Sequence, residues 1–227
     1  MVGSLMAKLY GCIIELTKIS AWTKKNGKRA YGQAGFRKHL STIDHLVTLW
    51  VLMEESHLRG KGLYCCFIDF KKAFDMVPCE HLWRWMEELE MPSEYMLAIS
   101  RIYEKLICCV RMSSKLSYFF NNIIGVNWAC PLSPTLFGLC IDELKEMVAK
   151  FVKDECVEEV SIGNVVTMLF LYADDVVFLA NTLGDAQKLL KELEFFCMHT
   201  KLSDNSSKTK IMLVKSQKRD KPCIMYI

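Results

Sequence analysis

Residues 165–180 read VVTMLFLYADDVVFLA, two apolar runs on either side of Asp174 and Asp175. β-Branched and aromatic residues flanking a short polar break predict a strand, a turn and a second strand. The break is chemically conspicuous, because a carboxylate at the end of an apolar strand is costly unless a cation or hydrogen bonds compensate it. The same break recurs at residues 63–70, LYCCFIDF, a continuous apolar strand that follows Gly60 and Gly62 and closes on Asp69. If the two strands lie side by side, three carboxylates converge. Adjacent carboxylates repel, which raises a pKa or recruits a dication, and ligands that are all oxygen favour Mg²⁺. Such a site could hold two metal ions and clamp an in-line phosphoryl transfer. Asp174 and Asp175 alone suit ordinary turn chemistry equally well.

The flanking sequence supplies helices to cover these strands. Ser41 with Asp44 three residues on predicts a capping box and a helix to about His57. After Pro78, the apolar residues Leu82, Trp85, Met86 and Leu89 share one helical face. A further helix is expected after Ser93, then strands near 107–112 and 116–124. Ser133 and Pro134 suit the N-cap and first position of a helix running to about Val152. Ala186, Leu189, Leu190, Leu193 and Phe196 mark another amphipathic helix, and residues 210–215 a last strand. This mixed order predicts an α+β fold, a sheet covered by helices on one face.

Composition narrows the class. The chain has 227 residues, 52% hydrophobic and 24% charged, which suits one packed domain, or a main domain plus a small lobe, and argues against disorder. No uncharged apolar run is long enough to span a membrane, and no secretory leader pattern opens the sequence, so an intracellular place is expected, nucleus or cytoplasm left open. Eleven cysteines are an odd number, and none forms a C-x-x-C pair. They read as reduced, buried, small hydrophobes rather than as a disulfide or zinc framework. The net charge of +3 is unevenly spread: residues 17–43 carry seven basic and no acidic residues, whereas residues 44–200 have a net charge of −9. A basic stretch interleaved with Trp22, Tyr31 and Phe36 suits a polyanion, although on charge alone a solvated loop with a few core aromatics is the commoner case.

Phe67-Ile68-Asp69-Phe70-Lys71-Lys72-Ala73-Phe74-Asp75 with Val77-Pro78, and Tyr172-Ala173-Asp174-Asp175, resemble the two carboxylate motifs of reverse transcriptases, most closely those of non-LTR (LINE-type) retrotransposons. Gln33-Ala34-Gly35-Phe36-Arg37 with Ser41-Thr42, Cys130-Pro131-Leu132-Ser133-Pro134, and Asn205 with Lys208-Thr209-Lys210 fall in the order of that family, from about Gln33 to Met212. The resemblance implies a right-hand polymerase palm, a ferredoxin-like antiparallel sheet backed by helices, with partial fingers. Its expected division is 1–62 fingers, 63–215 palm with inserted fingers elements, and 216–227 a truncated tail with no thumb. It implies an RNA template, a DNA primer and dNTP as partners, no membrane, and two Mg²⁺ ions (Mn²⁺ an alternative) on Asp69, Asp174 and Asp175. Phe74 would pack under the incoming sugar and exclude a 2′-hydroxyl, or else be a core phenylalanine. Backbone amides near Lys71 and Lys72, within the segment Phe70 to Phe74 that includes Ala73, would bind triphosphate oxygens. Arg37 would neutralise the same group or be a surface arginine. Lys208 would donate a proton to pyrophosphate, with Lys210 its rival.

The loop before Cys130 departs from the family. A basic residue, glutamine and glycine are usual there; this chain has Asn127, Trp128 and Ala129. Trp128 is bulkier and donates only through its indole nitrogen, and Ala129 loses the backbone freedom of glycine. Two readings follow: an RNA-directed DNA polymerase, or an inactive remnant that at most binds nucleic acid.

Overall fold

The computed structural model describes residues 5–30, 32–103, 107–113, 115–121, 124–126 and 130–214, and the backbone of 223–226. Helices α1 (Leu5–Ile14) and α2 (Ser20–Lys25) are joined through a π turn (Glu15–Ile19). They are followed by α3 (Thr42–Leu58), strand β1 (Leu63–Ile68), the single turn α4 (Ala73–Met76), α5 (Cys79–Glu88) and α6 (Ser93–Tyr103). Four short strands come next: β2 (Ile107–Cys108), β3 (Arg111–Met112), β4 (Lys115–Leu116) and β5 (Phe120–Asn121). The rest comprises α7 (Ser133–Asp154), β6 (Ser161–Ile162), β7 (Val165–Val166), β8 (Leu169–Tyr172), β9 (Asp175–Ala180), α8 (Leu183–Thr200), β10 (Lys210–Val214) and β11 (Cys223–Tyr226). Two compact units emerge, one of Met1–Lys28 with Lys72–Cys140, the other of Arg29–Lys71 with Ile141–Ile227.

The second unit is built on a five-stranded sheet in the order β11, β10, β1, β9, β8, with every neighbouring pair antiparallel. Central β1 is apolar because it has a strand on each side and a covered face: Leu63, Cys65, Cys66 and Ile68 are buried. Burial pushes the Cys65 thiol up to about 12 and that of Cys66 to about 11, so both stay protonated as the core hydrophobes the composition suggested. Helix α8 packs against β9 and β1. Its Ala186, Leu189, Leu193 and Phe196 are buried on one face, as their spacing predicts. Thr182 caps that helix by accepting from the Asp185 amide at 3.0 Å, and left-handed Lys201 ends it. The capping box of α3 is present too: Asp44 accepts from the Ser41 amide at 2.7 Å, and those bonds to Ser41 hold its carboxyl below the usual range.

In the first unit, α5 buries Leu82, Trp85 and Met86, and the Trp85 indole donates to the Leu139 carbonyl at 2.8 Å. Gly125, with φ of +86°, lies so close to Asp75 that a Cβ would come within 2.5 Å of that residue's carbonyl oxygen. The amides of Gly125 and Val126 donate to Val77 and Phe74, both at 2.8 Å, and fasten the loop that carries Phe74. Three expectations need adjustment here. Among the described residues, the strands near 107–124 are the two-residue pairs β2 with β5 and β3 with β4, and Met112, Tyr118 and Phe119 are exposed. Helix α7 begins at Ser133 itself, and the Ser133 hydroxyl lies 3.2 Å from that of Tyr103. Finally, α1 and α2 occupy a segment for which periodicity predicted no helix.

Candidate active site

The register of β1 on β9 sets Ile68 opposite Val176, and β8 pairs Tyr172 with Asp175 across the connecting turn. Asp69, the next residue after β1, therefore leaves the sheet at the same end as Asp174 and Asp175. The three carboxylates act on one another. Burial raises the Asp175 carboxyl first, and Asp174 and then Asp69 raise it further; Lys208 opposes them.

The loop between α8 and β10 closes on Asp69 from the other side. The Asn205 side-chain amide donates to Asp69 Oδ2 at 2.9 Å, and the Asn205 backbone N–H donates to the Asp69 carbonyl at 2.6 Å. Ser207 donates to Asn205 Oδ1 at 2.8 Å and orients that side chain. The Asn205 carbonyl accepts from the amides of Lys208 and Thr209, both at 2.9 Å, forming the turn that carries the lysine. Lys208 Nζ stands 3.4 Å from Asp69 Oδ2. Lys210, the other candidate lysine, lies within β10 opposite Phe67. Asn205 carried a motif in the sequence but no assigned role; its grip on Asp69 spans 136 residues and leaves no periodic signal.

Other predicted residues are placed differently. Phe70 is 3% exposed, and its ring centroid is 6.5 Å from that of Phe196, so its side chain belongs to the core rather than to a substrate. The Lys71 amide donates to the Ser203 carbonyl at 2.8 Å and is not free for a triphosphate oxygen, although its side chain is exposed. Arg37 Nη1 bonds the carbonyls of Ala30 at 2.9 Å and Gln33 at 3.2 Å, and burial together with nearby Arg29 lowers its pKa. Arg37 borders a cavity of about 880 Å³ whose lining includes none of the three aspartates. Lys72, Ala73 and Phe74 belong to the other unit. There Lys72 is left-handed and exposed, Ala73 is buried, and half-buried Phe74 stacks on Phe137 at 4.3 Å between centroids. Asn127, Trp128 and Ala129 lie outside the described residues.

Among the described residues, no three His, Cys, Asp or Glu side chains are gathered closely enough to hold a metal ion. The donor set at the sheet end is nevertheless all hard oxygen. Burial is the first cause of the raised Asp175 carboxyl, and Asp174 and Asp69 raise it further, a repulsion that a dication would relieve. No helix among the described residues is long and apolar enough to cross a membrane.

An antiparallel sheet with helices behind it and carboxylates at one end is a polymerase fold, and solved structures share it. A telomerase from Candida tropicalis bound to a telomeric RNA fragment aligns with a TM-score of 0.66 at 12% identity, over 92% of this chain and 34% of its own. One from Candida albicans gives 0.66 at 13% identity, over 98% and 37%. The chain belongs to the family described as reverse transcriptase (RNA-dependent DNA polymerase), whose model matches residues 7–224. It is similar to the retrovirus-related Pol polyprotein of the type-2 retrotransposable element R2DM of Drosophila melanogaster, 24% identical over 193 residues, which are 85% of this chain and 18% of that protein. It also resembles the 149 kDa protein of transposon TX1 of Xenopus laevis, 24% identical over 78% of this chain and 13% of that protein. The chain thus spans under a fifth of these relatives.

Proposed function

We propose that the sheet end formed by Asp69, Asp174 and Asp175 is the centre of RNA-templated DNA synthesis, in which a primer 3′-hydroxyl attacks the α-phosphate of a dNTP and pyrophosphate leaves. The shared sheet end of Asp69, Asp174 and Asp175, where Asp174 and Asp69 add to the effect of burial in raising the Asp175 carboxyl, supports this reading above any other observation. Two Mg²⁺ ions, or Mn²⁺, held by these carboxylates would lower the pKa of the attacking hydroxyl and stabilise the leaving pyrophosphate. Asn205 holds Asp69 in place. Lys208, 3.4 Å from Asp69 Oδ2, would pass a proton to the leaving group. Arg37 would reach the triphosphate through nitrogens other than Nη1.

Primer extension tests this reading, with purified protein, poly(rA) template, oligo(dT) primer and Mg²⁺. Extension is expected, and Asp175→Ala should reduce it to background. The alternative is the inactive remnant, favoured by the hold of Asn205 and Lys208 on Asp69 Oδ2 and by Trp128 and Ala129 in the loop before Cys130. No extension above the Asp175→Ala control would establish it.

The raised Asp175 carboxyl has a second measurable effect. Because the folded protein holds Asp175 above its ordinary pKa, it binds more protons than the unfolded chain through the carboxylate range. The stability contributed by this group is full below the unfolded pKa and is lost as pH rises through the folded one. Asp175→Asn should therefore raise the melting temperature of metal-free protein at neutral pH. The gain should shrink to nothing in acid, where Asp175 is protonated in both states. Equal melting temperatures at neutral pH would contradict it.

A further inference from the structure

We infer that Gln33 is the positioning residue of the aspartate turn: its side-chain oxygen holds the backbone N–H of Ala173 and thereby sets where Asp174 and Asp175 stand. The inference rests on the proposed function for its catalytic consequence, but the geometry is independent of it.

Ala173, immediately before Asp174, has a φ of 57°. An alanine in the left-handed region is disfavoured and persists only where its surroundings impose it. The surroundings here are residues 32–35. Their backbone lies parallel along the outer edge of β8, with the Leu171 amide donating to Gly32 at 3.0 Å and the Ala34 amide to Leu171 at 2.9 Å. Held at that distance, the Gln33 oxygen accepts from the amides of Ala173 at 3.1 Å and Gly35 at 2.8 Å. Both donors face one atom of the carboxamide, which fixes it as the oxygen.

The carboxamide is otherwise a poor choice for this position. Gln33 is 0% exposed, and its Nε2 is buried with no hydrogen-bond partner among the described residues. Burying an amide nitrogen unpaired costs stability that an apolar side chain of similar size would avoid. What the glutamine supplies and an apolar residue does not is an acceptor for the one backbone donor that leads into the two aspartates.

Two variants and two readouts test this. Gln33→Met keeps the length and removes the acceptor; Gln33→Glu keeps a carbonyl oxygen, since a glutamate buried there would take up a proton. Amide hydrogen exchange followed by NMR should show the Ala173 N–H losing protection about five- to tenfold in Gln33→Met, the equilibrium factor of one hydrogen bond. Leu171, bonded to Gly32 through the backbone, should keep its protection, and Gln33→Glu should restore that of Ala173. In primer extension, Gln33→Met should lower kcat while leaving KM for primer and template unchanged, because the turn and not the nucleic-acid surface is displaced. Unchanged Ala173 exchange in Gln33→Met would overturn the inference. So would a uniform loss across β8 and β9 that Gln33→Glu fails to restore, which would make Gln33 a mere packing residue. If exchange behaves as expected but no form of the protein extends a primer, the positioning stands and the proposed activity falls. If wild type and Gln33→Met extend equally, with Ala173 protected in both, the activity stands and the positioning falls.

Discussion

Gly35→Ala will cost the protein most of its primer-extension rate. A Cβ at position 35 would come within 2.1 Å of the Ala173 backbone nitrogen and 2.9 Å of both the Ala173 Cα and the Gln33 Oε1. The obstacle is backbone, so no rotamer change relieves it, and either the 32–35 segment or the aspartate turn must move. Overpacking of this kind costs about 1–3 kcal/mol. A displacement of about 1 Å at reacting groups costs about a hundredfold in rate. The expected result is a fall in kcat of that order together with a modest drop in denaturation midpoint. Gly184→Ala is the matched control: a Cβ there meets only Thr182 Oγ1, at 3.8 Å, so rate and stability should hold. Full activity in Gly35→Ala would show that the turn is not set by this contact.

Arg29→Met is expected to destabilise the fold more than any surface change. Arg29 Nε donates to Asp142 Oδ2 at 2.6 Å, with the two side chains 9% and 5% exposed. Asp142 also accepts from the Ala30 amide at 3.1 Å. Burial pushes the Asp142 carboxyl up, and Arg29 is the main influence holding it down. Removing the arginine leaves a buried carboxylate without its cation, a change worth about 3–5 kcal/mol. Among the described residues Arg29 Nη2 and Asp142 Oδ1 are both buried without partners, so the pair is imperfectly satisfied. The double variant Arg29→Met, Asp142→Leu should therefore recover most of the loss. Urea denaturation of the two single variants and the double gives the coupling directly. Additive losses would mean that the two groups do not depend on each other.

The carboxylates were legible in the sequence because their signal is local: Asp69, Asp174 and Asp175 interrupt apolar strands, and the cost of such an interruption does not depend on the rest of the fold. Their convergence was legible only conditionally, and the register of β1 on β9 supplied the condition. Phe70 and Ala73 were assigned to substrate because they sit beside Asp69 in a motif. Alternation along an extended chain turns Phe70 away from Asp69 and into the core beside Phe196. The roles of Gln33 and Asn205 were illegible, since each bonds a partner 140 or 136 residues away and neither lies on a periodic face. Helix α1 escaped notice for a different reason. Leu5, Met6, Leu9 and Ile13 are exposed while Gly11 and Ile14 are buried, so no polar face alternates with an apolar one.

The position of β1 between β9 and β10 has a consequence for how the protein is made. Both partners of the most apolar strand lie downstream, and the nearer, β9, begins only at Asp175. A ribosome adding about 5–20 residues per second needs on the order of 5–20 seconds to travel from the end of β1 to the start of β9. For that interval LYCCFI has no strand to pair with and depends on transient cover, which makes it the segment most exposed to aggregation during synthesis.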